Sequence, residues 1–118
     1  MPVGAQHRPV DLAHLARYTG GDAALNAEIL QLFETQADEL VTRLQKLLEA
    51  GDKKGWHDVN HSIKGAARGI GAFGLGDAAA FAEPLDPALD TEQAKAALDT
   101  VKTNAEAVQI FIKAYLSR

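Results

Sequence analysis

The stretch Trp56-His57-Asp58-Val59-Asn60-His61-Ser62-Ile63-Lys64-Gly65-Ala66-Ala67-Arg68-Gly69-Ile70-Gly71-Ala72-Phe73 spaces its large apolar residues and one alanine three or four positions apart. They fall at Trp56, Val59, Ile63, Ala66, Ile70 and Phe73. That interval belongs to one face of an α-helix, so the pattern predicts an amphipathic helix from about Lys53 to Phe73. On a wheel of about 100° per residue with Trp56 at zero, the six positions fill an arc of about 100° centred at about 310°. His61 falls at about 140°, almost opposite the core, with His57 at about 100°, Lys64 at about 80° and Arg68 at about 120°. Gly65, at about 180°, lies beside His61 one turn along. The pattern therefore puts an imidazole on the outer face of a long helix with cations around it.

Working outward, every other segment also reads as helix. Pro9-Val10-Asp11-Leu12 opens a short first helix with Leu12 and Leu15 on one side, and Gly20-Gly21 breaks it. Asp22 caps a long second helix whose core stripe is expected at Leu25, Ile29, Leu32, Phe33, Leu40, Leu44 and Leu47. Gly51-Asp52 ends that helix and restarts the chain. After Phe73, Gly74 permits a turn, and Leu75 to about Glu83 reads as a shorter helix stopped by Pro84 and Pro87. Asp90 or Thr91 caps the last helix, with core positions at or near Ala94, Leu98, Val101, Ala105, Val108, Ile112 and Tyr115. No segment shows the period-two alternation of a strand. Short connections make successive helices antiparallel. The expected fold is all-α: an antiparallel up-down four-helix bundle with a short additional N-terminal helix, forming one domain over residues 1–118.

Composition narrows the function classes. The 118 residues are 47% hydrophobic, enough for a core without staples, and they include no cysteine. Disulfide frameworks and thiolate zinc sites are therefore excluded, and a reducing cytoplasm is the expected location. No apolar run approaches the roughly 20 residues of a membrane span, and residues 1–9 lack the pattern of a signal peptide. A net charge of −4 speaks against nucleic-acid binding, which needs a concentrated basic surface.

Most helical histidines have no special task, yet His61 sits where burial does not explain it. Gly65 costs about 1 kcal/mol relative to alanine in an exposed helix interior, and access to the neighbouring ring by a bulky partner is a reason to keep it. Lys64 and Arg68 alone describe a solvated surface. Beside an imidazole they can stabilise a phosphoryl dianion through charge-assisted hydrogen bonds.

His61-Ser62-Ile63-Lys64-Gly65, followed by Gly71, resembles the signature of histidine-containing phosphotransfer (HPt) domains. There, Lys and Gly follow the histidine at three and four positions, and another Gly follows at ten. Leu75 sits where the family usually has a leucine opening the next helix. The resemblance covers residues 59–85 by motif and the whole chain by helix layout. It implies a bacterial-type phosphorelay protein that exchanges a phosphoryl group with aspartates of response-regulator receiver domains and works with a sensor or hybrid histidine kinase. By resemblance, His61 is phosphorylated at Nε2, Lys64 neutralises the phosphoryl oxygens and Gly65 leaves room for phosphate and receiver. Glu83, twenty-two positions after His61, accepts a hydrogen bond from Nδ1–H. A carboxylate there fixes the tautomer and supports charge on the ring. Arg68 departs from the family, which often has a small residue at that place; it either adds a phosphate contact or narrows the set of receivers that dock. His57 is a further candidate contact for phosphate or partner.

Such in-line transfers depend mostly on positioning and charge stabilisation. The chain has no Walker-type loop and no kinase signature, so it is expected to be a phosphocarrier without ATP-dependent autokinase activity. It is expected to bind no cofactor, with Mg²⁺ held by the receiver, and to act as a monomer. The docking face is expected around His61, flanked by Ala72, Leu75 and parts of the second helix. Two other readings compete with this one. His57 and His61 have a zinc-chelating spacing, but they lack the glutamate of His-Glu-x-x-His and are surrounded by cations. The other is a helical adaptor that binds receivers or kinases without phosphate traffic, against which the intact His61, Lys64 and Gly65 argue.

Overall fold

The computed structural model describes residues 8–117, and among these it is all-helical. In chain order the helices are α1 (Leu12–Thr19), α2 (Ala23–Ala50), α3 (Lys53–Gly69), α4 (Phe73–Ala82) and α5 (Thr91–Leu116). One local device starts the first three. An aspartate in extended conformation precedes each, and its carboxylate accepts from backbone N–H groups of the first turn: Asp11 for α1, Asp22 for α2 and Asp52 for α3. The chain enters α1 later than expected, at Leu12, with Asp11 as the cap. Val10 precedes the helix and is fully buried.

α2 packs against α3 and α5, α3 against α4, and α4 against α5, with α1 against α2. The shared core includes Leu30, Phe33, Leu44, Trp56, Val59, Ile63, Leu75, Leu98, Val101 and Ile112. The α5 stripe follows its expected positions, with Ala105 and Tyr115 only partly buried at its edge. The α2 stripe does not. Leu25 and Leu32 are exposed (38% and 72%), whereas Leu30 and Leu48 are buried. A leucine-rich helix offers two overlapping stripes, and contact with α3 and α5 selects the one through Asn26, Leu30, Phe33, Ala37, Leu44 and Leu48.

α3 also ends earlier than its periodicity suggests. The helix stops at Gly69, and Phe73 opens α4 with 40% of its surface exposed. The reason is Gly71, at φ +84°, a left-handed conformation that reverses the chain. Its carbonyl accepts from Asp11 N–H at 2.9 Å, and a β-carbon at this place would lie 2.6 Å from the Asp11 carbonyl oxygen. The turn thus doubles as the seat of the segment leading into α1.

Trp56 anchors α3 to the far end of α4. It is fully buried, and its Nε1–H donates to the Ala82 carbonyl at 2.8 Å. Ala82 is the last residue of α4, so this bond places the next residue, Glu83, beside the outer face of α3.

Candidate functional site

His61 lies mid-way along α3 with 64% of its side chain exposed, as the wheel requires. Its Nδ1 is 3.5 Å from Glu83 Oε2, and its Nε2 meets no hydrogen-bonding partner among the described residues. The neighbouring Asn60 is fully buried and donates from Nδ2 to the Trp56 carbonyl at 3.1 Å, which pins the inner side of the same turn. Asn60 was absent from the expected core because it is polar. Its wheel position, about 40°, is the signal that marks it, since the buried arc extends through Ala67, at about 20°, to Asn60.

Lys64 is one turn on, with 23% of its side chain exposed, and its Nζ lies 2.9 Å from Glu83 Oε1. The approach is off the hydrogen-bonding direction, leaving this buried oxygen without a well-aligned donor. Gly65 is exposed, and a β-carbon on it would meet nothing within 4 Å. No packing constraint inside the protein therefore demands glycine at 65.

Glu83 caps the C-terminal end of α4. Its side chain is only 15% exposed, more enclosed than a helix-end charge at a solvent edge. Contact with the Lys64 ammonium holds its carboxyl below the ordinary glutamate range, against the opposing effect of burial and with a smaller contribution from His61. Glu83 faces His61 Nδ1, the atom expected, and shares its carboxylate with two further groups. Oε2 lies 3.2 Å from His57 Nε2 and 3.5 Å from His61 Nδ1, while Oε1 faces Lys64.

These side chains put a solvent-facing imidazole nitrogen, an ammonium and a bare glycine flank on one helix face. The Hpt domain family model matches residues 28–111. The chain belongs to the Hpt domain family. No curated protein and no solved structure matched it. The matched span begins within α2, takes in all of α3 and α4, and ends within α5, so it contains every candidate residue of this Hpt domain. The resemblance carried by His61, Lys64, Gly65 and Gly71 is thereby borne out at the level of the family. Hpt domains serve phosphorelays as phosphocarriers, in contact with response regulators and kinases.

Within the Hpt domain, Arg68 extends from α3 across Gly76 of α4, where a β-carbon would lie 2.8 Å from Arg68 Cγ. There it pairs with Asp77 at 3.4 Å. Asp77 escaped the sequence reading because nothing in the chain announces which residue of α4 faces Arg68. His57 is half exposed, with one ring nitrogen 3.2 Å from Glu83 Oε2 and the other 3.3 Å from Asp58 Oδ1. Ala72 and Leu75 do not flank a docking face, being 0% and 1% exposed. Apolar side chains at the α3–α4 junction turn inward to seal the core end. Among the described residues, no group of three or more His, Cys, Asp or Glu is placed to hold a metal ion, and no helix is long and apolar enough to cross a membrane.

The lowered Glu83 pKa has a direction in acid. A carboxyl held below its ordinary value contributes stability in full above that value, near pH 4.5. The contribution is lost as pH falls through the lowered folded value. A Glu83→Gln variant should therefore show a shallower decline of melting temperature between neutral pH and pH of about 3 than the parent. Parallel declines by circular dichroism would mean that the Lys64 contact does not favour the folded carboxylate.

Proposed function

We propose that this chain carries a phosphoryl group on His61 Nε2 between aspartates of response-regulator receiver domains, in a two-component phosphorelay fed by a sensor or hybrid histidine kinase. The reading includes one domain folded as an antiparallel up-down four-helix bundle with α1 as the short additional helix, acting as a monomer in the cytoplasm. The observation that carries it is the unpartnered Nε2 of an exposed imidazole on the face shared by Lys64 and Gly65. In this reading Lys64 leaves its imperfect contact with Glu83 to meet the phosphoryl oxygens. Charge-assisted contacts of this kind supply much of the catalysis in phosphoryl transfer. Mg²⁺ belongs to the receiver, and the chain has no autokinase activity of its own.

The test is incubation with receiver domains phosphorylated by radiolabelled donor. Label should enter this chain in a form labile to acid and stable to base, as a phosphohistidine is. A chain that stays unlabelled with every receiver of its cell is not a phosphocarrier.

Gly65 allows a second check. Because a β-carbon there meets open space, Gly65→Ala should raise stability by about 1 kcal/mol, the helix-propensity difference. Gly65→Gln should keep that fold but slow labelling by on the order of 100-fold, because a displaced partner loses its attack geometry. Urea denaturation and labelling rates measure the two effects separately. Unimpaired labelling of Gly65→Gln contradicts the access role of the glycine.

A further inference from the structure

Three basic groups converge on the single carboxylate of Glu83, and one of them has no assigned part in phosphotransfer. His57 stands one helical turn before His61, and the two rings are stacked, with centroids 6.1 Å apart and planes 11° from parallel. Its Nε2 is 3.2 Å from Glu83 Oε2, the same oxygen that lies 3.5 Å from His61 Nδ1. Its Nδ1 lies 3.3 Å from Asp58 Oδ1, and Asp58 pairs with Lys54 at 2.6 Å. A neutral imidazole has one N–H, and in the Nε2–H tautomer it donates to Glu83, the nearer of the two carboxylates, and not to Asp58. We infer that His57 is a positioning residue for His61, holding Glu83 Oε2 against His61 Nδ1 during phosphotransfer. The inference rests on the phosphocarrier reading of His61.

The need for such a holder arises in the transfer step. The receiver's aspartyl O–P bond breaks, and its electron pair leaves on the aspartate carboxylate. The His61 Nε2 lone pair forms the new N–P bond, while Nδ1 keeps its proton, so the ring becomes positively charged. A carboxylate facing Nδ1–H stabilises that charge. Yet Lys64, the closest cation to Glu83, turns at this moment toward the phosphoryl oxygens, and the carboxylate loses its contact at Oε1. Among the described residues, His57 is the side chain besides His61 and Lys64 that lies within hydrogen-bonding distance of this carboxylate. In this role it acts through Glu83 and not on the phosphoryl group. The charged groups paired with or facing His57 are Asp58 on α3 and Glu83 at the end of α4; α2 contributes no ion pair to it among the described residues.

The experiment compares the parent, His57→Phe, His57→Gln, Glu83→Gln and the His57→Phe/Glu83→Gln double variant at about pH 8, where an ordinary histidine is neutral. Phenylalanine keeps the ring shape without a donor, and glutamine keeps an N–H at similar reach. Labelling from a phosphorylated receiver should slow about fivefold in His57→Phe, the worth of one net hydrogen bond. It should be largely restored in His57→Gln, and His57→Phe should have no further effect when Glu83 is already glutamine. Nitrogen-15 NMR of the His61 ring provides a readout that needs no phosphate: His57→Phe should lower the Nδ1–H tautomer fraction, and His57→Gln should preserve it. An unchanged tautomer fraction in His57→Phe overturns the proposal. So does a slowing that persists in the Glu83→Gln background or that glutamine does not rescue. An unlabelled parent protein instead sinks the phosphocarrier reading, whatever the tautomer fractions show.

Discussion

His61→Gln is expected to take no label from any phosphorylated receiver while keeping its fold. Glutamine at this place has an amide in place of the imidazole, and an amide nitrogen has no available lone pair for attack on phosphorus. The fold should be indifferent, because the His61 side chain is 64% exposed and its nearest polar partner, Glu83, is 3.5 Å away. Exposed substitutions without a buried partner usually stay within about 0.5 kcal/mol. Urea denaturation of the variant should therefore overlay that of the parent, making the loss of label a chemical effect. Label persisting in His61→Gln would move the site elsewhere, and His57 is the next ring to examine.

The second large effect concerns the anchor behind the site. Trp56→Ala should destabilise the protein by about 3–5 kcal/mol, the range for truncating a buried aromatic to alanine. That is a large part of the roughly 5–15 kcal/mol that holds an ordinary domain together. Two losses combine. The fully buried indole leaves a cavity among α3, α4 and the remaining core, and the Ala82 carbonyl loses the donor that reached it at 2.8 Å. Trp56→Phe separates them, since it fills much of the space but donates nothing to Ala82. It should cost less in stability than alanine, yet still slow phosphotransfer, because the bond it removes positions the residue just before Glu83. Urea midpoints together with labelling rates decide this. A loss below about 1 kcal/mol in Trp56→Ala contradicts the anchor, given the usual cost of such cavities.

The reading of His61 as a solvent-facing residue rested on periodicity alone and agrees with the structure. A helical face is determined by residues within a few positions of one another, and the apolar interval from Trp56 to Ile63 already carries that information. The aspartate starts of α2 and the Gly51 stop are equally local, and the sequence expressed them plainly. Where two stripes were available on one helix, as in α2, local pattern chose Leu25 and Leu32 and was wrong. The end of α3 was misplaced for a related reason. Phe73 continues the apolar interval, but a left-handed Gly71 bonded to Asp11, sixty residues earlier, had already turned the chain.

Glu83 shows the same division within the site. Its distance along the chain from His61 and the family resemblance marked it as a partner, but neither showed that it is shared by His57, His61 and Lys64. For Arg68 the structure adds a partner that the sequence does not name, Asp77 on α4, reached across Gly76. By itself the sequence determined the helices, the Asp22 start, the Gly20 and Gly51 stops, the outward face of His61 and the family, because all of these depend on neighbouring residues or on a contiguous motif. Only the tertiary structure decided which leucines enter the core and which bases meet one carboxylate. The first depends on how α2 docks on α3 and α5, and the second on the register of α3 against α4, held by the Gly71 turn at one end and by the Trp56–Ala82 bond at the other.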